Sequence, residues 1–373
     1  QVESDSLPLS GTWSLFGGYD LSFSGPPDRR NTVFAASAAG LLVDGSTASG
    51  RLVHVTVKGA APEIGSQQLS AHALRSEAVK IALDDVVLQT ADGASGQSGT
   101  DGAPGASDNS GTCGAASEPD FALGQRYNRA APDGTPPATI GPSGGMPATQ
   151  AGAANDGTDG TDAASAIRFQ DGLVIGSSAA PGLSNGTPGY GGAGGGSATS
   201  WRGTYEIWGG RGGNGGCPGV GGAAGQTGGS AVALVVLAGA VEITRSELHV
   251  GFGGAGGDGG QGGAGGVGAP GLSPELVYPK WPAVLKPSCT NAVDDAMALN
   301  CAEYGGQGGA GGAGGHGGGG AGGWSIGVLL APGAASHTDS ATSVALKKAG
   351  AGGAGGGASA PSGRSVESYA LNP

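Results

Sequence analysis

Apolar residues in this chain fall in short runs divided by polar turns, and nothing between the runs has helical spacing. Residues 51–58, RLVHVTVK, alternate: Val53, Val55 and Val57 share one face, and Leu52, His54, Thr56 and Lys58 share the other. A period of two places successive side chains on opposite faces of an extended chain, which predicts one half-buried strand. Residues 12–16 (TWSLF) and 19–23 (YDLSF) alternate in the same way around Gly17-Gly18, predicting a small hairpin or the cap of a longer sheet. Residues 41–43 and 166–175 (AIRFQDGLVI) each predict a further strand.

The pattern then repeats. Residues 70–90, 230–250 and 325–344 each open on Ser, run through an apolar strand, turn on small or polar residues, and enter a second strand. Two copies share a core, Val79-Lys80-Ile81 then Val86-Val87-Leu88, and Val241-Glu242-Ile243 then Leu248-His249-Val250. Self-similarity at this scale indicates a solenoid, and short strands with tight turns predict coils of a right-handed parallel β-helix.

A different period fills the intervals. Residues 251–271 (GFGGAGGDGGQGGAGGVGAPG) and 305–323 (GGQGGAGGAGGHGGGGAGG) place two glycines before almost every other residue. Three residues per turn is the polyproline II period, and faces bare of Cβ let backbones approach closely enough to hydrogen-bond. These tracts predict a bundle of polyglycine threefold helices. Collagen is the wrong comparison, since it needs one glycine per triplet and abundant proline. A flexible low-complexity linker is the competing reading. The tracts form out-and-back excursions, 91–229, 251–323 and 349–363, from one β-helix unit over residues 31–373, with residues 1–30 as an N-terminal cap or assembly segment. The first excursion leaves on single-glycine triplets, Gly93 to Gly105, which suit the edge of a bundle.

Composition sharpens the picture. Of 373 residues 84 are glycine and only 12% are charged, too little bulky apolar material for an ordinary globular core. The net charge of −12, with scattered Lys and Arg, disfavours nucleic acid and anionic membrane as partners. No apolar run is long enough to span a membrane. Four cysteines, Cys113, Cys217, Cys289 and Cys301, lack metal spacing, and an even count in a polar chain points to disulfides and an oxidising, extracellular compartment. Of three possible connectivities, Cys289–Cys301 with Cys113–Cys217 is preferred, because the first closes a short loop between two glycine tracts. The start at Gln1, without a signal-like segment, fits either a processed chain or one that never carried a signal, and the cysteines favour processing.

The passage GGSAVALVVLAGAVEITRSELHVGFGGAGGDGGQGGAGG, with its relative GGWSIGVLLAPGAASHTDSATSV, resembles glycine-rich bacterial surface proteins of the PE-PGRS type across roughly residues 30–360. The resemblance implies an exported or cell-surface protein with a structural or adhesive role. This sequence departs from the mycobacterial members in lacking their N-terminal helical Pro-Glu domain, which puts their particular targeting in doubt.

Candidate chemistry is sparse. Asp156, Asp159 and Asp162 recur at triplet spacing in NDGTDGTD, where they would line one edge of a threefold helix and offer carboxylates to Ca2+; a solvated Asp-Gly turn is the plainer reading. The calcium repeat of parallel β-helices is not matched at residues 256–260. Asp84 and Asp85 are adjacent and would face opposite ways, as in a polar turn. Among His54, His72, His249, His316 and His337 no partner is local, and His54 and His249 read as outward strand positions. Asn185-Gly186-Thr187 fits a glycosylation sequon. No catalytic constellation or cofactor site emerges. The expected function is a structural extracellular protein, a filament or surface-layer subunit associating with itself. The alternative is a secreted adhesin presenting a flat polyglycine face to carbohydrate, a host surface or ice.

Overall fold

The computed structural model describes residues 2–3, 6–8, 11–19, 27–28, 32–44, 49–63, 68–107, 155–170, 173–176, 198–199, 206–208, 215–270, 275–276, 307–356 and 359–371. Among them every regular element is a strand. Three parallel sheets take most of these strands. The first contains Val2–Glu3, Val33–Ala36, Thr56–Gly59, Val87–Gln89, Glu247–His249 and Ser343–Ala345. The second contains Ser6–Pro8, Leu41–Asp44, Ala71–Ser76, Ala231–Val236, Ser325–Leu330 and Ser365–Ala370. The third contains Thr12–Phe16, Ser49–Val53, Lys80–Asp84, Ala240–Thr244 and Ala335–Thr338. The chain visits first, second and third sheet in rotation, and each strand pairs in parallel with its counterpart one circuit earlier, the order a β-helix requires.

Like residues stack on like. Leu41, Leu74, Leu234 and Val328 form one inner column, Leu52, Leu83 and Ile243 a second, and Val57, Leu88, Leu248 and Val344 a third. All but the terminal Val344 are buried in one continuous core. Each such side chain contributes roughly 1.5–3 kcal/mol of burial, so the narrow interior is held by length of stack, not by breadth.

Two sequence expectations are corrected. Residues 51–58 are two strands on different sheets, because His54 takes a left-handed φ of 53° and turns the corner; Leu52 is therefore buried, not on a polar face. Asp85 (φ 54°) and Arg245 (φ 50°) turn the same corner in later circuits. Residues 12–16 pair in parallel with Ser49–Val53 at the end of the third sheet, which is the cap reading, and residues 20–23 of the alternative hairpin lie outside the described residues. The third sequence repeat slips by one: Ala231 opposes Ser325, which leaves Ser230 level with Trp324.

The excursions leave after Gln89, His249 and Ala345 of the first sheet and return into Ala231, Ser325 and Ser365 of the second, always at one corner. Seven described tracts result: tract 1 (91–107), tract 2 (155–163), tract 3 (215–229), tract 4 (251–270), tract 5 (307–323), tract 6 (348–356) and tract 7 (359–363). Every third residue donates its N–H to a neighbouring tract. Gly93, Gly96, Gly99, Gly102 and Gly105 bond the carbonyls of Phe252, Ala255, Asp258, Gln261 and Ala264, and Gly253, Gly256 and Gly259 bond those of Lys348, Ala351 and Ala354. Tracts 1, 4 and 6 thus form a row continuing the first sheet. Gly216 to Gly228 bond tract 5 in the same way, and Gly322 bonds Pro361, so tracts 3, 5 and 7 continue the second sheet. Cross-bonds of 2.8–2.9 Å from Gly311, Gly314, Gly317, Gly320 and Gly323 to tract 4 weld the rows. Tract 1 sits at the edge, as its single-glycine triplets predict, bonded to tracts 3 and 4.

Residues 166–175 are also two strands and not one: Ile167–Gln170 pairs antiparallel with Leu173–Gly176. The Asp171-Gly172 step between them was the available signal, since Asp-Gly between short apolar runs is a hairpin mark. This hairpin covers the outer face of the second sheet, packing Ile167 and Val174 on Val232, Val235, Ile326 and Leu329. Trp324 closes that cluster with an edge-on contact to Tyr369, 4.9 Å between centroids.

The lattice admits no side chain at its interior columns. A Cβ on Gly317 would collide with the carbonyl of Ala223, and one on Gly260 with that of Thr100. Gly317→Ala should destabilise by about 1–3 kcal/mol or more, since the obstacle is backbone, whereas Gln261→Ala on the outward column should leave the melting temperature within a degree or two. Equal effects of the two substitutions would rule out close tract packing.

Candidate functional site

Among the described residues the circuit stack has two ends, the strand Thr12–Phe16 at one and Ser365–Ala370 at the other. At the N-terminal end the strand Thr12–Phe16 alternates exposed Thr12, Ser14 and Phe16 with half-buried Trp13 and Leu15, which pack on the core. Trp13 lies over Gly50, where any Cβ would meet its ring, and its buried indole N–H finds no acceptor. Phe16 and Tyr19 remain exposed beside it. At the opposite end Ala334, Val344 and Leu346 are half-buried against the same core, and the inner column from Leu41 to Val328 ends on exposed Ser368. Among the described residues each end thus has parallel strand edges with no strand paired to them, around half-buried apolar side chains, a surface of the kind that pairs with another chain.

The corner between third and first sheets carries most of the charge network. Asp84, nearly buried, is bonded by Arg51, by Arg245 (Nε to Oδ1, 3.0 Å) and by the Thr244 hydroxyl (3.1 Å). Desolvation alone would raise its pKa, but the hydrogen bonds from Arg245, Arg51 and Thr244 outweigh it and hold the carboxyl below the usual range. Asp85 instead meets His54 Nδ1 at 2.7 Å. The two carboxylates therefore serve different partners. His54 sits at a corner and not in a strand, while His249 does stand exposed in its strand, 3.1 Å from Glu247. The ladder continues through Asp339, whose carboxylate accepts from the Arg245 amide and the Thr342 hydroxyl. Every charge in it is tied to a neighbouring circuit, which is the work of a structural staple.

His72 is the one histidine wholly inside. It shares a column with Val232 and Ile326, its Nδ1 lies 3.2 Å from the Ala38 carbonyl, and Nε2 has no partner. Burial is the largest cause that lowers its pKa, to about 4, so the ring stays neutral with its proton on Nδ1.

Asp156, Asp159 and Asp162 do line one edge of tract 2, yet they do not converge. Their Oδ1 atoms accept from the amides of Ala313, His316 and Gly319 at 2.8, 2.7 and 2.7 Å. The residues that follow them, Gly157, Gly160 and Ala163, donate to the carbonyls of the same three residues. Each pair thus clamps both polar groups of one peptide residue. Asp92, Asp101 and Asp258 repeat the clamp on Phe252, Gln261 and Ala354. Positions three apart on a threefold helix are separated by about 9 Å, too far to share one cation with oxygens at about 2.4 Å, and among the described residues no three acidic, His or Cys groups could hold a metal. The calcium reading gives way to a hydrogen-bonding one, whose signal was the Asp-Gly dipeptide.

Cys217, in tract 3, is buried. Cys113, Cys289, Cys301 and the Asn185 sequon lie outside the described residues, so the expected pairing stays an expectation. A cavity of about 250 Å3 opens between Leu173–Gly176 and residues 227–229. The Ser70 hydroxyl on its wall is already committed, donating to Val174 O and accepting from Ser230 N.

Two outcomes follow from these environments. A native His72 pKa below its unfolded value of 6.5 means the unfolded chain binds the proton first, so stability present above pH 6.5 is lost as pH falls toward 4, by on the order of 3 kcal/mol. Urea midpoints across that interval should fall for the native chain and flatten for His72→Val. For the clamps, replacing Asp156, Asp159 and Asp162 together with alanine should speed amide exchange at Ala313, His316 and Gly319, while calcium or a chelator leaves the native melting temperature unchanged. A calcium-dependent rise in melting temperature would restore the metal reading. In comparisons with known proteins, no family model, no curated protein and no solved structure matches this chain.

Proposed function

We propose that this protein is a structural, extracellular, self-associating subunit of a filament or surface layer, built as a right-handed parallel β-helix from which threefold polyglycine helices project as a bundle. The observation that carries the reading is the pair of open ends. The contact each end would make with another subunit is the contact every circuit already makes with the next: parallel strand pairing over a stacked apolar column. A few short strands of narrow core make a marginal monomer, and adding subunits lengthens the core without new sequence. The staple-like use of charge, which ties each circuit to the next, supports a structural role. The resemblance to glycine-rich surface proteins supports placement outside the cell.

The adhesin alternative has its own support in the row of tracts 1, 4 and 6, whose outward column carries exposed Phe252 and Val267. Sedimentation separates the two. The full-length, disulfide-intact protein should associate at micromolar concentration, and Ser14→Lys with Phe16→Lys, which charge an end strand without entering the core, should weaken association at least tenfold. A stable monomer well above micromolar concentration would favour the adhesin.

A further inference from the structure

All the clamping aspartates except Asp162 precede a glycine, and that pairing has a covalent chemistry of its own. In an Asp-Gly step the glycine amide nitrogen can attack the aspartate Cγ, lose its proton and expel water, closing a cyclic succinimide. Water then opens the ring at either carbonyl. One opening restores aspartate, and the other leaves isoaspartate, an isomer whose main chain is longer by one methylene. Glycine favours the attack, since it has no Cβ to obstruct the nitrogen and reaches conformations that other residues avoid. In Asp92-Gly93, Asp101-Gly102, Asp156-Gly157, Asp159-Gly160 and Asp258-Gly259 the aspartate is exposed and the glycine half-buried. Water is therefore at hand, and burial does not shield these steps.

We infer that these five steps are latent isoaspartate sites, which the clamp itself holds unreacted and which react only when a tract opens. In each, Oδ1 accepts the N–H of a residue on the facing tract and the glycine N–H donates to the carbonyl of that same residue, all at 2.7–2.8 Å. The two groups that must meet are both turned on a third. Ring closure needs the nitrogen aligned on Cγ at about 3–3.5 Å. The nitrogen must also give up the proton that the facing carbonyl holds, and the carboxyl must turn its carbon inward, which takes Oδ1 off the facing amide. The outcome depends on how long a tract stays open. A brief opening leaves aspartate in place, whereas a lasting one yields isoaspartate, whose extra methylene puts every amide beyond it out of triplet phase with its acceptor. Prolonged opening is then recorded covalently, and the tract does not close again in register.

The test incubates the full-length native chain at mildly alkaline pH, beside the same chain unfolded in guanidinium, and maps isoaspartate by mass spectrometry. At all five steps it should form at least tenfold more slowly in the native chain, because opening must precede reaction. Gln261→Pro removes the N–H that Asp101 accepts yet keeps the threefold backbone, whose φ proline already has. It should speed isomerisation severalfold at Asp101 and leave Asp92, Asp156 and Asp159 at native rates. Ala354→Pro should do the same at Asp258, and Gln261→Ala, which keeps the amide, should match the native chain. Equal rates in native and unfolded chains would overturn the protection. A proline variant that melts with the native chain, yet isomerises no faster at the released aspartate, would overturn the part given to the clamp. Should a proline melt the bundle, isoaspartate must rise at all five steps together, and a melted bundle that stays unreacted sinks the inference too.

Discussion

Everything outside the β core depends on the missing Cβ. A backbone amide reaches its partner carbonyl between tracts at 2.7–3.1 Å because glycine keeps both surfaces bare, and no other residue permits that approach on several sides at once. The conformational cost of ordering glycine, on the order of 1–2 kcal/mol per residue, is offset only collectively, through a lattice in which interior tracts are bonded on several sides. Tract 5, surrounded by tracts 2, 3, 4, 6 and 7, is correspondingly the tract poorest in side chains.

The lattice is anchored by the β stack. Rows of tracts grow directly from the first and second sheets, so strand pairing sets both the spacing and the order in which tracts meet. Where the third excursion is too short to fill its place, tract 2 takes over: Ser165 Oγ bonds Ser362 O at 3.2 Å, joining tracts 2 and 7 end to end beside tract 5. The hairpin that follows tract 2 then folds back as a lid on the second sheet, burying Val232 and Val235, which face away from the inner core. Core and bundle stabilise one another through this return.

The sequence exposed periods well and corners poorly. The triplet phase of residues 251–270 and the parallel repeats at 71–76 and 231–236 were legible because each is enforced many times over. The corner at His54 was not, because a single left-handed residue leaves the apolar alternation on both sides intact. Register at Trp324 was lost to a serine on either side of a one-residue slip. The aspartates of tract 2 were legible at their triplet spacing, but their amide partners were not, since those lie 157 residues away along the chain.

The Asp-Gly clamp has a consequence for how such a bundle finds one alignment. A run of identical glycine triplets can slide past its neighbour by three residues and recover every backbone bond, so the lattice alone leaves sliding states nearly equal in energy. The clamps share that period: amides of the kind they hold recur at every triplet, as those of Ala313, His316 and Gly319 do, so an aspartate moved by three residues meets an equivalent partner. Asp92 and Asp101 tie tract 1 to tract 4, Asp258 ties tract 4 to tract 6, and Asp156, Asp159 and Asp162 tie tract 2 to tract 5, deepening whichever alignment the strands at the root of the tracts select. Facing tracts can then gain or lose whole triplets together with every bond and clamp re-formed, so the bundle changes length in steps of three residues while the β stack keeps its alignment.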